Sequence, residues 1–344
     1  MQHRITHVTQ PPYLFSWVLL QLLLVPAIQS RTCAQELPAA ETTWTAKDTL
    51  AEDSDPVADA ADCLRGLRWT PGTFQVNAGA ASADNGDLNL YFPSPRPVGD
   101  PGNDTVCLEW YAARNASGDV SRAPAFVIIH ESGRSMSVGR IFARGLNAMG
   151  FHTFLIHLPG YGTRRTQLSE KPEFLLTGLR QAIADVRRAR DAVAALSLVE
   201  DNRIALQGTS LGGFVAATVA GLDRGYHKTF ILLAGGHIDE VVLGGAKDAA
   251  RIRQRLQDAG VSTQQIRELA RQIEPLRLAH RVDARNTWLY SARYDTVVPP
   301  ASSSAFAAAA NLPDDHHIVM TANHYSGVLF LPAVFAQIRS FMAE

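Results

Sequence analysis

Residues 203–217 read RIALQGTSLGGFVAA. A short apolar strand ends near Gln207, a turn bounded by Gly208 and Gly212 carries a serine, and an alanine-rich helix starts at Leu211. A strand that passes through so tight a turn into a helix belongs to a sheet whose crossovers are helical. Ser210 is the centre of G-x-S-x-G. In that setting the turn forces the serine into a strained backbone conformation, and flanking glycines have no Cβ to collide there. Its hydroxyl then stands clear of the backbone. The first N–H groups of the helix, and the positive end of its dipole, face whatever that hydroxyl meets.

The rest of the chain repeats this alternation. GTFQV, LNLYF and TVCLEWYAA are β-rich runs separated by Pro, Gly, Asn and Asp, and read as antiparallel strands leading in. The unbroken apolar run in AFVIIHESG, Ala125 to Gly133, suits a central strand covered on both faces. Helices are expected over 135–149, 174–196, 211–221, 301–310 and 331–342, and strands over 151–158, 203–207, 229–234, 286–291 and 317–320. The long helix carries Leu175, Leu179, Ile183, Val186, Val193 and Leu196 on one face. The fold class is therefore α/β, a mostly parallel, doubly wound sheet with helices on both faces. Residues 236–285 are too many for one crossover. They hold two helical patterns: Ala249, Ile252, Leu256 and Ala259, stopped by Gly260, and a second with Ile266, Leu269 and Ile273 that opens on a Ser262/Gln265 capping box. This insertion is expected as a helical cap over the C-terminal edge of the sheet, with ordinary crossover packing as the alternative.

The first seventy residues are a different material. An apolar run from Tyr13 to Ile28 follows Arg4 and is itself followed by Ser30, Thr32 and Ala34, the parts of a secretory signal peptide over 1–34. An uncleaved membrane anchor is the alternative. The stretch 35–72 is acidic and lacks apolar periodicity, so it reads as a poorly ordered linker ahead of a domain over 73–344. Of the 3 cysteines, Cys33 goes with the signal. Cys63 and Cys107 either pair as a disulfide in an oxidising compartment or stay as two buried thiols. A net charge of -1 gives no case for nucleic acid, and no stable membrane insertion is expected once the signal is cleaved.

A serine hydroxyl is a poor nucleophile until a base takes its proton, and the base needs an acid to hold its tautomer. In a doubly wound sheet such groups sit at the C-terminal ends of strands. TWLYSARYDTVVPP places Asp295 just past one strand, and HHIVMTANHYSG places His324 just past the next. Ser210, Asp295 and His324 thus fall in the chain order Ser, Asp, His. His316 and His317 are weaker candidates, because adjacent strand residues point to opposite faces. His130 and His237 are expected to shape the cleft. An oxyanion needs two N–H donors: Leu211 supplies one and Ser132 the other, with Glu131 as the alternative. Arg164 and Arg165 either greet a carboxylate or sugar at the cleft mouth or are simply solvated. No H-E-x-x-H, paired C-x-x-C or G-x-x-x-x-G-K-[ST] is present, so no metal or cofactor is expected.

On Gly208 to Gly212, Asp295 with the VVPP that follows it, His324, and the HLPGYG of His157 to Gly162, the chain from about Thr73 onward resembles the α/β-hydrolase superfamily. It is loosely similar to the secreted bacterial dienelactone-hydrolase and acetylxylan-esterase group. Dienelactone hydrolases carry a cysteine nucleophile where this chain has Ser210, and His130-Glu131 stands where a His-Gly pair is usual. The resemblance implies a serine hydrolase of small-molecule or carbohydrate-linked carboxylic esters. A peptidase or amidase with the same residues, and a non-catalytic binding protein on a hydrolase fold, remain open.

Overall fold

The computed structural model describes residues 36–52, 54–82, 85–171 and 174–344. The expected signal peptide lies outside the described residues. One ten-stranded sheet organises the chain, in the order β1-β2-β3-β4-β6-β5-β7-β8-β9-β10. Its antiparallel part comprises β1 (Thr43–Lys47), β2 (Thr73–Ala80), β3 (Leu88–Pro93) and β4 (Thr105–Tyr111), and β4 pairs with β6 (His152–Ile156). From there the ladder is parallel through β5 (Ala123–Ile129), β7 (Val199–Thr209), β8 (Thr229–Leu232), β9 (Thr287–Ala292) and β10 (His317–Met320).

The winding reverses at β5. Its crossover to β6 goes one way and the chain then returns to build β7 on the other side, so a crevice opens between the C-terminal ends of β5 and β7. All of Ala125 to Ile129 is buried because both faces are covered. Ala125, Val127 and Ile129 pack with α1 (Ala58–Leu67), α4 (Phe174–Ala194), α5 (Leu211–Asp223) and α9 (Pro300–Ala309). Phe126 and Ile128 point the other way, toward α3 (Ser137–Asn147) and α10 (Leu331–Ala343). A single turn of helix, α2 (Pro101–Asp104), precedes β4.

The insertion between β8 and β9 forms three helices, α6 (Ile238–Gly244), α7 (Asp248–Asp258) and α8 (Thr263–Arg271). The Ser262/Gln265 capping box closes the start of α8, each side chain satisfying the other residue's amide.

Among the described residues of 36–72, a strand and a helix stand where composition suggests a loose linker. β1 adds an edge strand to the sheet, and α1 packs Ala60, Cys63, Leu64 and Leu67 into the core. Polar groups hold this arm where no apolar periodicity announces it. Arg188 Nη2 donates to Asp48 Oδ2 at 2.5 Å, Thr49 donates to both oxygens of Asp191, and Arg277 Nη2 reaches Asp59 and Asp62. Arg188 and Asp191 of α4 are thus answered from the N-terminal arm.

Cys63 and Cys107 are both buried and both free. The Cys63 thiol, on α1, lies 4.0 Å from the Gln272 carbonyl, and burial pushes it up to about 11. Cys107 sits in β4 opposite Tyr91. No disulfide joins them.

Candidate active site

β7 delivers its chain to Ser210, which takes φ 55° and ψ −115°. The amide of Ser210 still donates to the Leu232 carbonyl at 2.8 Å, which fixes the turn against β8. The neighbouring glycines are required by space. A Cβ on Gly208 would stand 2.2 Å from the Gly212 carbonyl oxygen, and one on Gly212 would stand 2.5 Å from that of Ile129. Only bare backbone lets β5, the turn and α5 approach so closely.

The structure brings Ser210, His324 and Asp295 into one hydrogen-bonded chain. Asp295, in the loop after β9, accepts from His324 Nδ1 at 2.7 Å. Since a carboxylate can only accept here, Nδ1 carries the proton, and Nε2 is left to accept from Ser210 Oγ at 3.0 Å. The other Asp295 oxygen takes the amides of Val297 and Val298 at 2.8 and 2.9 Å. Those two bonds hold the carboxylate rigid. Such an arrangement can move a proton off a hydroxyl and return it to a departing group.

Around it, the loop after β5 is pinned from behind. His130 is fully buried, which drives its ring down to about 3 and keeps it neutral. Its Nε2 accepts from the Leu158 amide at 3.2 Å, so Nδ1 carries the hydrogen and donates to the Glu131 carbonyl at 2.5 Å. In a trans peptide the next N–H points the opposite way, so the Ser132 amide is turned away from His130. Glu131 spends its carboxylate on the amides of Val138 and Gly139 in the first turn of α3, at 3.2 and 3.1 Å.

Two cavities meet at Leu211 and Ser132. One, of about 110 Å³, opens on Ser210 and is walled by α4, α5, α6 and α7, through residues such as Leu179, Phe214, Val241, Val242 and Ile252. The other, of about 500 Å³, runs past Tyr161 and is rimmed by Arg134, Arg165 and Arg255.

Other residues singled out from the sequence lie elsewhere. His316 stacks on Trp288, and His317 Nε2 sits 2.9 Å from Ser291 Oγ. His237 lines neither cavity. Arg164 is neither solvated nor at the mouth: it is buried in an ion pair with Asp185 at 2.7 Å and donates to the carbonyls of Asn103 and His157. Arg165, by contrast, is exposed on the rim of the larger cavity and paired with Glu170.

A cluster that sequence reasoning missed lies near the β5 loop, where His157 precedes the Leu158 that His130 holds. Glu109, in β4, meets Arg140 at 2.6 Å and His157 at 2.9 Å. Burial would raise its carboxyl, but His157 and Arg140 outweigh that and hold it near about 2. Its one legible signal is a charge in the otherwise apolar TVCLEWY.

No curated protein matches the chain in sequence. Its fold matches the acetyl xylan esterase from Paenibacillus sp. R4 with a TM-score of 0.58 at 17% identity, over 83% of this chain and 95% of that one. Acetyl xylan esterase 1 from Thermoanaerobacterium sp. JW/SL YS485 gives 0.53 at 16%, over 85% and 96%. A puromycin-hydrolyzing peptidase from Mycobacterium tuberculosis gives 0.56 at 15%, but this chain, 79% of which is covered, spans only 45% of it. The fold is that of an α/β-hydrolase, and the family profile that the chain matches places it in the serine-hydrolase class. Within that class, the chain belongs to the prolyl oligopeptidase family, whose profile matches residues 143–342.

Proposed function

We propose that the protein is a secreted hydrolase of carboxylic esters that works through an acyl-enzyme. Ser210 Oγ bonds to the acyl carbon as His324 Nε2 takes its proton. The carbonyl electron pair moves onto oxygen and is held by the Leu211 and Ser132 amides. When that pair returns, the bond to the alcohol oxygen breaks, and His324 delivers the proton to it. Water then repeats the sequence and frees the acid. Asp295 keeps His324 in the tautomer this requires, and His130, by holding the Glu131 carbonyl, positions the Ser132 amide. The observation that carries the reading is the unbroken chain from Asp295 through His324 to a serine held at φ 55°. Secretion rests on the composition of residues 1–34.

Cleavage of amides by the same residues is the second reading, favoured by membership of a family named for oligopeptidases. Labelling with a fluorophosphonate, followed by matched p-nitrophenyl esters and p-nitroanilides, tests both. Wild type is expected to label and to prefer the ester, while Ser210→Ala and His324→Ala do neither. Labelling that persists in Ser210→Ala would remove the mechanism; a preference for anilides would replace the ester reading.

A further inference from the structure

The polar residues in the wall of the smaller cavity do not face it as free polar groups. Thr218 donates its hydroxyl to the Phe214 carbonyl at 3.0 Å. Asp248 holds the Tyr325 hydroxyl at 3.0 Å and Arg251 at 2.5 Å. What remains toward the space, apart from Ser210 and Ser132 at its mouth, is hydrocarbon from α4, α5 and the cap helices α6 and α7. A polar or charged group entering there would lose its hydration and find no partner. An apolar one loses nothing.

We infer that this cavity is an acyl-chain subsite, and that the substrate is an ester of a short to medium apolar acid rather than of acetate. The inference rests on Ser210 as nucleophile and names the acid it receives. The acyl carbon must sit on Ser210 Oγ, and the cavity that contains Ser210 is where its substituent extends. A site of about 110 Å³ is somewhat smaller than the ~150 Å³ that encloses benzene, so it accommodates about three to five carbons beyond the carbonyl. Acetate fills only its entrance. The larger compartment does not include Ser210 and mixes its apolar side chains with an arginine rim, so it is the less suited of the two. Val242 on α6 and Ile252 on α7 set the depth, which makes the cap the part that selects chain length.

A p-nitrophenyl ester series from acetyl to decanoyl tests this. Wild-type kcat/KM is expected to rise about fourfold per methylene from acetyl to about butanoyl or hexanoyl, and to fall by octanoyl. Val242→Phe and Ile252→Phe, each filling the pocket from a different helix, are expected to cut the butanoyl-to-acetyl ratio at least fivefold. A wild-type series that is flat or highest at acetyl overturns the assignment, and so does an unchanged ratio in both folded variants. Should Ser210 label while only anilides turn over, the same chain-length order on anilides supports the subsite and displaces the ester reading. A flat order there overturns the subsite. Absence of both labelling and turnover removes the two together.

Discussion

Among the described residues, two chains of carboxylate, histidine and hydroxyl can be compared. Asp295, His324 and Ser210 are linked at 2.7 and 3.0 Å; Glu109, His157 and Thr163 are linked at 2.9 and 3.0 Å. By distance alone they are equivalent. Their surroundings separate them. Ser210 is strained, stands at the N-terminus of a thirteen-residue helix and opens into a cavity. Thr163 is itself exposed, on a 3-10 turn, and its own amide also points at His157 Nδ1, 3.2 Å away. Burial works against charge on His157, but the Cys107 thiol and the Glu109 carboxylate prevail and push it up to about 9. The Thr163 amide already meets Nδ1 and the Glu109 carboxylate meets Nε2, so neither nitrogen is free to draw a proton from the hydroxyl. On the proposed reading, carboxylate, imidazole and hydroxyl at bonding distance do not by themselves make a catalytic site; the serine's turn, its helix and its cavity make the difference.

Neutralising the two carboxylates should break the equivalence most clearly. Asp295→Asn is expected to lower kcat by about 10³–10⁴ with a normal melting temperature, because His324 is left in the wrong tautomer. Glu109→Gln should do the reverse. It strands Arg140 and His157, so a loss of about 3 kcal/mol of stability is expected, with kcat within about fivefold per folded molecule. Paired denaturation and kinetic measurements decide it, and a catalytic collapse in Glu109→Gln at full stability would refute the division.

A smaller effect is expected at His130. His130→Leu removes the donor to the Glu131 carbonyl, and kcat should fall about 10–100-fold with KM little changed; His130→Asn, which can still donate, should recover part of it. A loss confined to KM would count against a role in orienting the Ser132 amide.

The gentlest test is pH. His130 and His152 are held by burial near about 3 and about 4. Their folded-state affinity for protons lies below that of the unfolded chain, so stability should decline as pH falls from about 6.5 through those values. The Glu109–His157 pair has a window with two edges. Its carboxylate contribution is lost as pH falls through about 2, and its histidine contribution as pH rises through about 9. Melting curves from pH 4 to 10 should therefore show an alkaline shoulder near 9 that is missing in Glu109→Gln. The same shoulder in both proteins would place its origin elsewhere.

What the sequence made legible was written in backbone sterics and in periodicity. Gly208 and Gly212 announce the turn because no other residue fits between Gly212, Ile129 and the serine. The order of strands and helices follows from apolar runs, and the Ser262/Gln265 box marks the start of α8. Asp295 and His324 were readable because loops at strand ends collect such residues. What stayed hidden was written in pairs of charges far apart in the chain. Asp48 with Arg188, Asp59 with Arg277 and Arg164 with Asp185 look like solvated surface until the fold brings each pair together. The N-terminal arm reads as a linker for that reason.

The residue after His324 ties the base to the roof. Tyr325 gives its hydroxyl to Asp248 at the first position of α7, and Lys247 stacks its ammonium 4.4 Å from the same ring. α7 also lines the space beside Ser210. Any outward swing of that helix must therefore either release the tyrosine or tug on the loop that carries the imidazole. If His324 is the base proposed above, one phenol joins the placing of the cap helix to the aim of the imidazole.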